Sequence, residues 1–221
     1  MTAGIDGERM SVLVHEVRSP VAALAAVAEA AAESPGDGVD LPQLVRLALA
    51  ACRAIERVVF DVSVASVRLE RLDVSGLIRD AVATHVVRGA DVAGHVDDGM
   101  VVDGDAVRLR QAIDNLLANA LSHGGDAPVA VRATEAGGVV RIAISDAGPG
   151  IPTDELERVF EVGTRLNDDG PGSGLGLPLA RAIAEAHGGS LVAVAAAGEG
   201  ATFVIALPTP ARHPDTAASS T

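Results

Sequence analysis

The sequence predicts an α+β fold, a helical hairpin followed by a sheet that carries helices on one face. Three observations predict it. Two long stretches repeat apolar residues in alternating three- and four-residue steps, and a turn rich in Gly, Pro and Asp joins them. After Asp73 the apolar period shortens to two, in Val-rich segments separated by glycines. A helical pattern over 173–189 is entered and left through glycines.

The elements follow in order. Leu13, Val17, Pro20, Leu24, Val27 and Ala31 keep heptad spacing, which predicts a helix over about 8–33. SPGDGVDLP (34–42) is the turn. Pro42 suits a first helical turn, and Leu44, Ala48, Ala51, Ile55, Val58, Val62, Ala65, Leu69 and Leu72 carry a second helix to about residue 72. Such Ala-rich seams bury little apolar area alone. Two hairpins are therefore expected to pair as a four-helix bundle, making the protein a homodimer. The alternative is a monomeric hairpin packed on the rest of the chain. VSGLIRDAVATHV (74–86) predicts an amphipathic helix, 86–104 a loop-rich stretch, and AVRLRQAIDNLLANALSHG (106–124) a strong helix. PVAVRATEA, GGVVRIAISDAG and SLVAVAAAGEGATFVIALP predict strands with Gly turns. The division expected is 1–72, 73–208 and a disordered tail over 209–221, whose Pro, Ser and Thr leave almost nothing apolar to bury.

Composition excludes several classes. Of 221 residues, 30 are acidic and 17 basic, every one of the latter Arg, for a net charge of −13. A nucleic-acid binder needs a basic footprint, so none is expected. A single cysteine, Cys52, allows neither an internal disulfide nor a Cys-based zinc site. No long uncharged apolar run predicts a membrane span, and MTAGIDGERM is not a secretory leader. A cytoplasmic protein is expected.

Four motifs carry chemistry. In HEVRSP (15–20), Ser19 lies one helical turn beyond His15 on the same face. Glu16 can hold one imidazole nitrogen and leave the other nucleophilic. Pro20 removes the amide that would bond the Glu16 carbonyl and loosens that turn. The motif reads equally as a surface histidine beside a kink. Asn115 and Asn119 are four apart on one helix face beside Ile113, Leu116, Leu117 and Leu121. An Asn oxygen suits Mg²⁺, which keeps waters and phosphates as its other ligands; solvated polar residues are the plainer reading. DAGPG (146–150) follows a strand, and a carboxylate there can accept a bond from an exocyclic amine such as that of adenine. Gly172, Gly174 and Gly176 lead into a helix whose free amides can hold phosphate. The spacing is not a P-loop, and no Lys exists to complete one. The stretch from Gly163 to Gly172 reads as a lid.

In order along the chain, these motifs resemble those of the histidine protein kinases of two-component signalling. HEVRSP is similar to their H-box, NLLANA to the N-box, DAGPG to G1, GSGLGL to G2, and ELERVFEVGTR (155–165) to the F-box, with Phe160 and Arg165 kept. GEGATF (198–203) completes the series. The resemblance covers about residues 8–207. It implies that 1–72 dimerises and carries the phosphoacceptor, and that 73–208 is an ATP-binding α/β sandwich of the kind shared with gyrase and Hsp90-type ATPases. It implies ATP and Mg²⁺ as cofactors. Asn119 would hold Mg²⁺, Asn115 would support the metal or the phosphates, and Asp146 would bind the adenine amine in a pocket shaped by Gly148 and Gly150. Gly172, Gly174, Leu175 and Gly176 would line the triphosphate, with Arg165 and Thr202 also at the nucleotide. His15 would take the γ-phosphoryl group with Glu16 as acid–base partner, and a response-regulator receiver domain would receive it. Ser19 holds the position that serves dephosphorylation in the family.

Three departures stand out. Ser122 sits where the family often has a basic residue, which predicts weaker ATP binding unless Arg165 or His123 compensates. Gly163 replaces a second F-box aromatic, which predicts a looser lid. No sensor and almost no helix precede His15, so input comes from a separate sensor protein or the chain is part of a longer one. The alternative function is a phosphotransfer or adaptor protein with a degenerate ATPase domain.

Overall fold

The computed structural model of the protein describes residues 17–31, 41–65, 67–125, 127–164, 174–195 and 198–210. The chain divides into two compact units, Met1–Ala65 and Ser66–Thr221.

In the first unit, α1 is helical over 17–31 and α2 spans Leu41–Ala65. The seam positions are the sheltered ones, apart from Ala31 at the end of α1, which is exposed. Pro20, Ala51 and Val58 are buried, and Val17, Leu24, Val27, Leu44, Ala48 and Ile55 are half-buried. Val21, Val45, Leu47 and Leu49 remain about half exposed, so the helices keep apolar surface outside the seam. No described helix is long and apolar enough to cross a membrane.

The second unit begins where the sequence reading needs correction. The predicted second helix does not reach residue 72. It ends at Ala65, and Glu70–Asp73 is a strand, β1. The strand forms because Glu70–Asp73 pairs antiparallel with Val101–Gly104, and at its end the Asp73 carboxylate accepts the Gly76 N–H at 3.2 Å and caps the next helix. That role requires extended backbone, here φ −70° and ψ 96°, through which a helix cannot run. Leu69 and Leu72 keep heptad spacing by coincidence, and Leu69 is exposed.

Next come α3 (Val74–Val87), β2 (Val92–Val96), β3 (Val101–Gly104), α4 (Ala106–His123), β4 (Val129–Ala136), β5 (Val139–Ser145), α5 (Gly176–Ala186), β6 (Ser190–Ala195) and β7 (Ala201–Pro208). Two 3₁₀ turns, Thr153–Glu155 and Arg158–Phe160, lie between β5 and α5. The expected loop over 86–104 is thus two short strands. Their partners are remote in sequence. β3 pairs antiparallel with β1, and β2 pairs parallel with β4.

The main sheet is mixed, in the order β2-β4-β5-β7-β6, with β2–β4 its parallel pair. Alternation sets its buried face: Val129, Val131 and Ala133, then Val140, Ile142 and Ile144, then Phe203, Ile205 and Leu207. α3, α4 and α5 cover that face with Ile78, Leu109, Ile113, Leu116, Leu117 and Ile183, all essentially inaccessible. Each such aliphatic side chain contributes about 1.5–3 kcal/mol on burial, so this chain builds its core without Trp or Tyr. Of the tail expected to be disordered, Thr209 donates its N–H to the Gly138 carbonyl at 2.9 Å, and 211–221 lie outside the described residues.

Candidate functional site

Three loops and two helix ends meet beside the edge where β5 stops and β7 starts. The first contributor is α4. Asp105 caps it by accepting the Val107 and Arg108 N–H groups at 3.0 and 3.2 Å, and also accepts that of Arg68 at 3.2 Å. Burial pushes the Asp105 pKa up, but the three N–H donors and the charge of Arg108 outweigh it and hold the carboxyl below its ordinary value. The start of α4 is fixed a second time by His187. The Asp105 N–H donates to His187 Nε2 at 2.9 Å, so the imidazole proton sits on Nδ1, which donates to the Ile183 carbonyl at 2.7 Å. One buried histidine thus joins the beginning of α4 to the end of α5.

Asn115 and Asn119 emerge from one face of α4, both half-buried, beside the fully buried Leu116, Leu117 and Ala120. Asn115 Nδ2 donates to the Gly176 carbonyl at 3.3 Å and so ties α4 to the first residue of α5. Among the described residues Asn119 makes no side-chain hydrogen bond.

The second contributor is the loop after β5. Asp146 Oδ1 accepts the Gly148 N–H at 2.9 Å and the Ala201 N–H at 3.2 Å, while the Asp146 N–H donates to the Ala201 carbonyl at 2.9 Å. Both bonds fall on one oxygen. Oδ2 has no hydrogen-bond partner among the described residues. Gly198 donates its N–H to the Pro149 carbonyl at 2.6 Å, which stitches the loop to the β6–β7 turn. The glycines here are contact requirements. A Cβ at Gly148 would lie 2.1 Å from the His123 carbonyl oxygen at the end of α4. A Cβ at Gly200 would lie 2.1 Å from the Asp146 carbonyl oxygen. Gly150 turns the loop at φ +73°. Thr202, opposite Ser145 in the β5–β7 register, shares a hydroxyl hydrogen bond with it at 2.8 Å.

The third contributor is the entry to α5. Gly174 (φ +74°) takes the Gly163 N–H on its carbonyl at 3.2 Å, and Leu175 is buried. Among the described residues no side chain caps α5, whose start carries the positive end of the helix dipole, the end that favours anions.

The structure therefore brings Asn115, Asn119, Asp146, Gly148, Gly150, Gly174, Leu175, Gly176 and Thr202 into one unit. Ser19 is exposed on α1, in the other unit. His15, Glu16, Arg165 and Gly172 lie outside the described residues. Sequence reasoning missed Gly200, the Ala201 N–H and His187. GEGA invites the first two, but only the close approach of the two turns reveals why. His187 sits in a glycine-bounded helix end, where spacing alone does not distinguish a surface imidazole from a buried one.

A glycine-entered helix start, an amide-bearing helix and a carboxylate with one unsatisfied oxygen thus lie in one unit with a mixed sheet. Residues 104–211 match the family of histidine kinase-, DNA gyrase B- and HSP90-like ATPases. The chain is 34% identical over 216 residues to the signal transduction histidine-protein kinase AfsQ2 of Streptomyces coelicolor, covering 88% of itself and 40% of that protein. It is 35% identical over 141 residues to the sensor histidine kinase component HK1 of Mycobacterium tuberculosis, covering 63% of itself and 83% of that chain. Among solved structures, the mycobacterial sensor histidine kinase MprB superposes with a TM-score of 0.55 at 32% identity, over 64% of this chain and 99% of that one. The chain belongs to the sensor histidine kinases. It spans about half the length of most curated relatives it matches.

Proposed function

We propose that the chain is the kinase core of an ATP-dependent, autophosphorylating histidine kinase acting in the cytoplasm. His15 takes the γ-phosphoryl group and passes it to an aspartate of a response-regulator receiver domain. In this reading residues 1–65 form a homodimeric four-helix bundle that carries His15, 66–208 bind ATP and Mg²⁺, and a sensor element or separate sensor protein supplies the input. The observation that carries it is Asp146. Two backbone N–H groups fix one carboxylate oxygen, which orients the other, unsatisfied one.

The residues fit the groups implied. Asp146 Oδ2 accepts the exocyclic amine of adenine. Gly148 lets the loop that carries Asp146 lie against the end of α4, because a Cβ there would lie 2.1 Å from the His123 carbonyl oxygen. The start of α5, with Gly172, Gly174 and Gly176, holds phosphate oxygens, and Arg165 adds positive charge. The Asn119 oxygen holds Mg²⁺, while Asn115 keeps α4 against α5. Bound Mg²⁺ neutralises charge on the phosphates, which is the main electrostatic demand of phosphoryl transfer. Glu16 holds one nitrogen of His15 so that the other attacks, and Ser19 orients water when the partner is dephosphorylated. A chain of net charge −13 has to place such positive charge locally.

The test is incubation of the purified chain with γ-labelled ATP and Mg²⁺. Acid-labile, base-stable label that vanishes in His15→Gln supports the kinase. No label, together with no nucleotide binding by calorimetry, overturns it.

A further inference from the structure

Among the described residues of the segment from Thr153 to Thr164, between β5 and α5, regular structure is limited to two 3₁₀ turns, with Val159 and Phe160 as the buried side chains. This segment has no second aromatic to anchor it, because Gly163 stands at φ +82°, a conformation that side-chain-bearing residues rarely adopt. The segment is nevertheless fastened to α5, and the fastening runs through Arg181. The guanidinium carbon lies 5.0 Å from the centre of the Phe160 ring. Nη1 donates to Glu157 Oε2 at 3.0 Å. Nε donates to Glu185 Oε1 at 3.1 Å, one turn further along α5, which sets the guanidinium plane. Beneath, Phe160 meets Phe203 of β7 edge-on, with ring centres 6.3 Å apart. The ring is thus held between a strand on one side and a cation on the other.

An isolated exposed ion pair contributes little. This guanidinium differs in that its side chain is only 35% exposed and it combines two carboxylates with a ring face. Glu157 foremost, against the opposing effect of burial, and then Glu185 hold the arginine pKa above its ordinary value.

We infer that Arg181 is a positioning residue for nucleotide binding, fixing Thr153–Thr164 on α5 and so setting the entry to that helix. The inference rests on the kinase reading above. The link to the nucleotide is the far end of the segment, where the Gly163 N–H donates to the Gly174 carbonyl two residues before the start of α5. A shift of the segment moves that carbonyl and the helix start. Lysine cannot replace the fork, since one ammonium cannot bond both carboxylates while lying flat on the ring.

The test uses the full chain with Arg181→Ala, Arg181→Lys and Glu157→Gln, all well below their melting temperatures. Calorimetry with magnesium AMPPNP and the γ-label assay are the readouts. Arg181→Ala is expected to raise the Kd for magnesium AMPPNP, and the KM for ATP, by roughly threefold to tenfold. Arg181→Lys should fail to restore either, Glu157→Gln should fall between, and kcat at saturating ATP should stay within about twofold of the parent. A lowered melting temperature with unchanged Kd and KM in Arg181→Ala overturns the inference, as does full rescue by lysine. If Arg181→Ala does not fold, an unchanged Kd in Glu157→Gln overturns it instead. Failure of the unsubstituted chain to bind magnesium AMPPNP would count against the kinase reading itself, a separate outcome.

Discussion

Asp146→Asn separates two jobs of one side chain. The amide oxygen of asparagine can still accept the Gly148 and Ala201 N–H groups, at 2.9 and 3.2 Å from the present Oδ1, so the loop keeps its shape. Its Nδ2 then stands where Oδ2 stood and confronts the adenine amine donor with another donor. A hydrogen bond to a charged group contributes about 1.5–3 kcal/mol, and a tenfold change in Kd corresponds to about 1.4 kcal/mol. The Kd for magnesium AMPPNP should rise roughly tenfold to 150-fold by calorimetry. Making two charged bonds neutral costs about 1 kcal/mol of stability, or about 3 °C in a domain of this size. Asp146→Ala instead strands both N–H groups, each at about 1–3 kcal/mol, and should melt markedly lower. An Asp146→Asn variant that binds as tightly as the parent would refute the assignment of Oδ2 to the base.

Three further expectations concern the supports of the site. Gly148→Ala drives a Cβ to 2.1 Å from the His123 carbonyl oxygen, backbone against backbone, so overpacking should cost about 1–3 kcal/mol and weaken nucleotide binding, read by thermal melting and calorimetry. His187→Phe keeps an aromatic ring, a larger one, but strands the Asp105 N–H, and should lower stability by at least about 1–3 kcal/mol in urea denaturation, with His187→Gln losing less. Asp105 is held below its ordinary value, so the stability it contributes is present above about pH 4 and lost as pH falls through its folded value. Asn also caps helices but does not titrate, so urea titrations should find the parent's advantage over Asp105→Asn shrinking from pH 6 to pH 3; a constant difference would contradict it.

The sequence carried the periodic parts of the fold. The seam of Val17, Pro20, Leu24 and Val27, the helix of Ile113, Leu116 and Leu117, and the alternation of Val140, Ile142 and Ile144 each follow from which positions must leave water. Residues 66–72 and 86–104 were misread for one reason. Glu70–Asp73 is a strand because Val101–Gly104 lies beside it, and Val92–Val96 because Val129–Ala133 does. Strands so short and exposed bear no local signature of a remote partner. Within the site, Asn115, Asn119, Asp146 and the glycines were visible as residue types at suggestive spacing. That Asn115 spends its amide on Gly176, that Asp146 divides its oxygens, and that Gly148 is demanded by His123 are facts of approach between segments, which spacing does not encode.

The central claim is that His15 is the phosphoacceptor, and mapping the phosphoryl group tests it most directly. After reaction with ATP and Mg²⁺, proteolysis and mass spectrometry at neutral to basic pH would locate the modified residue among the six histidines. The account predicts phosphohistidine on the peptide that contains HEVRSP, at His15, and none at His85, His95, His123, His187 or His213. Phosphorylation at one of those five with His15 unmodified would contradict it.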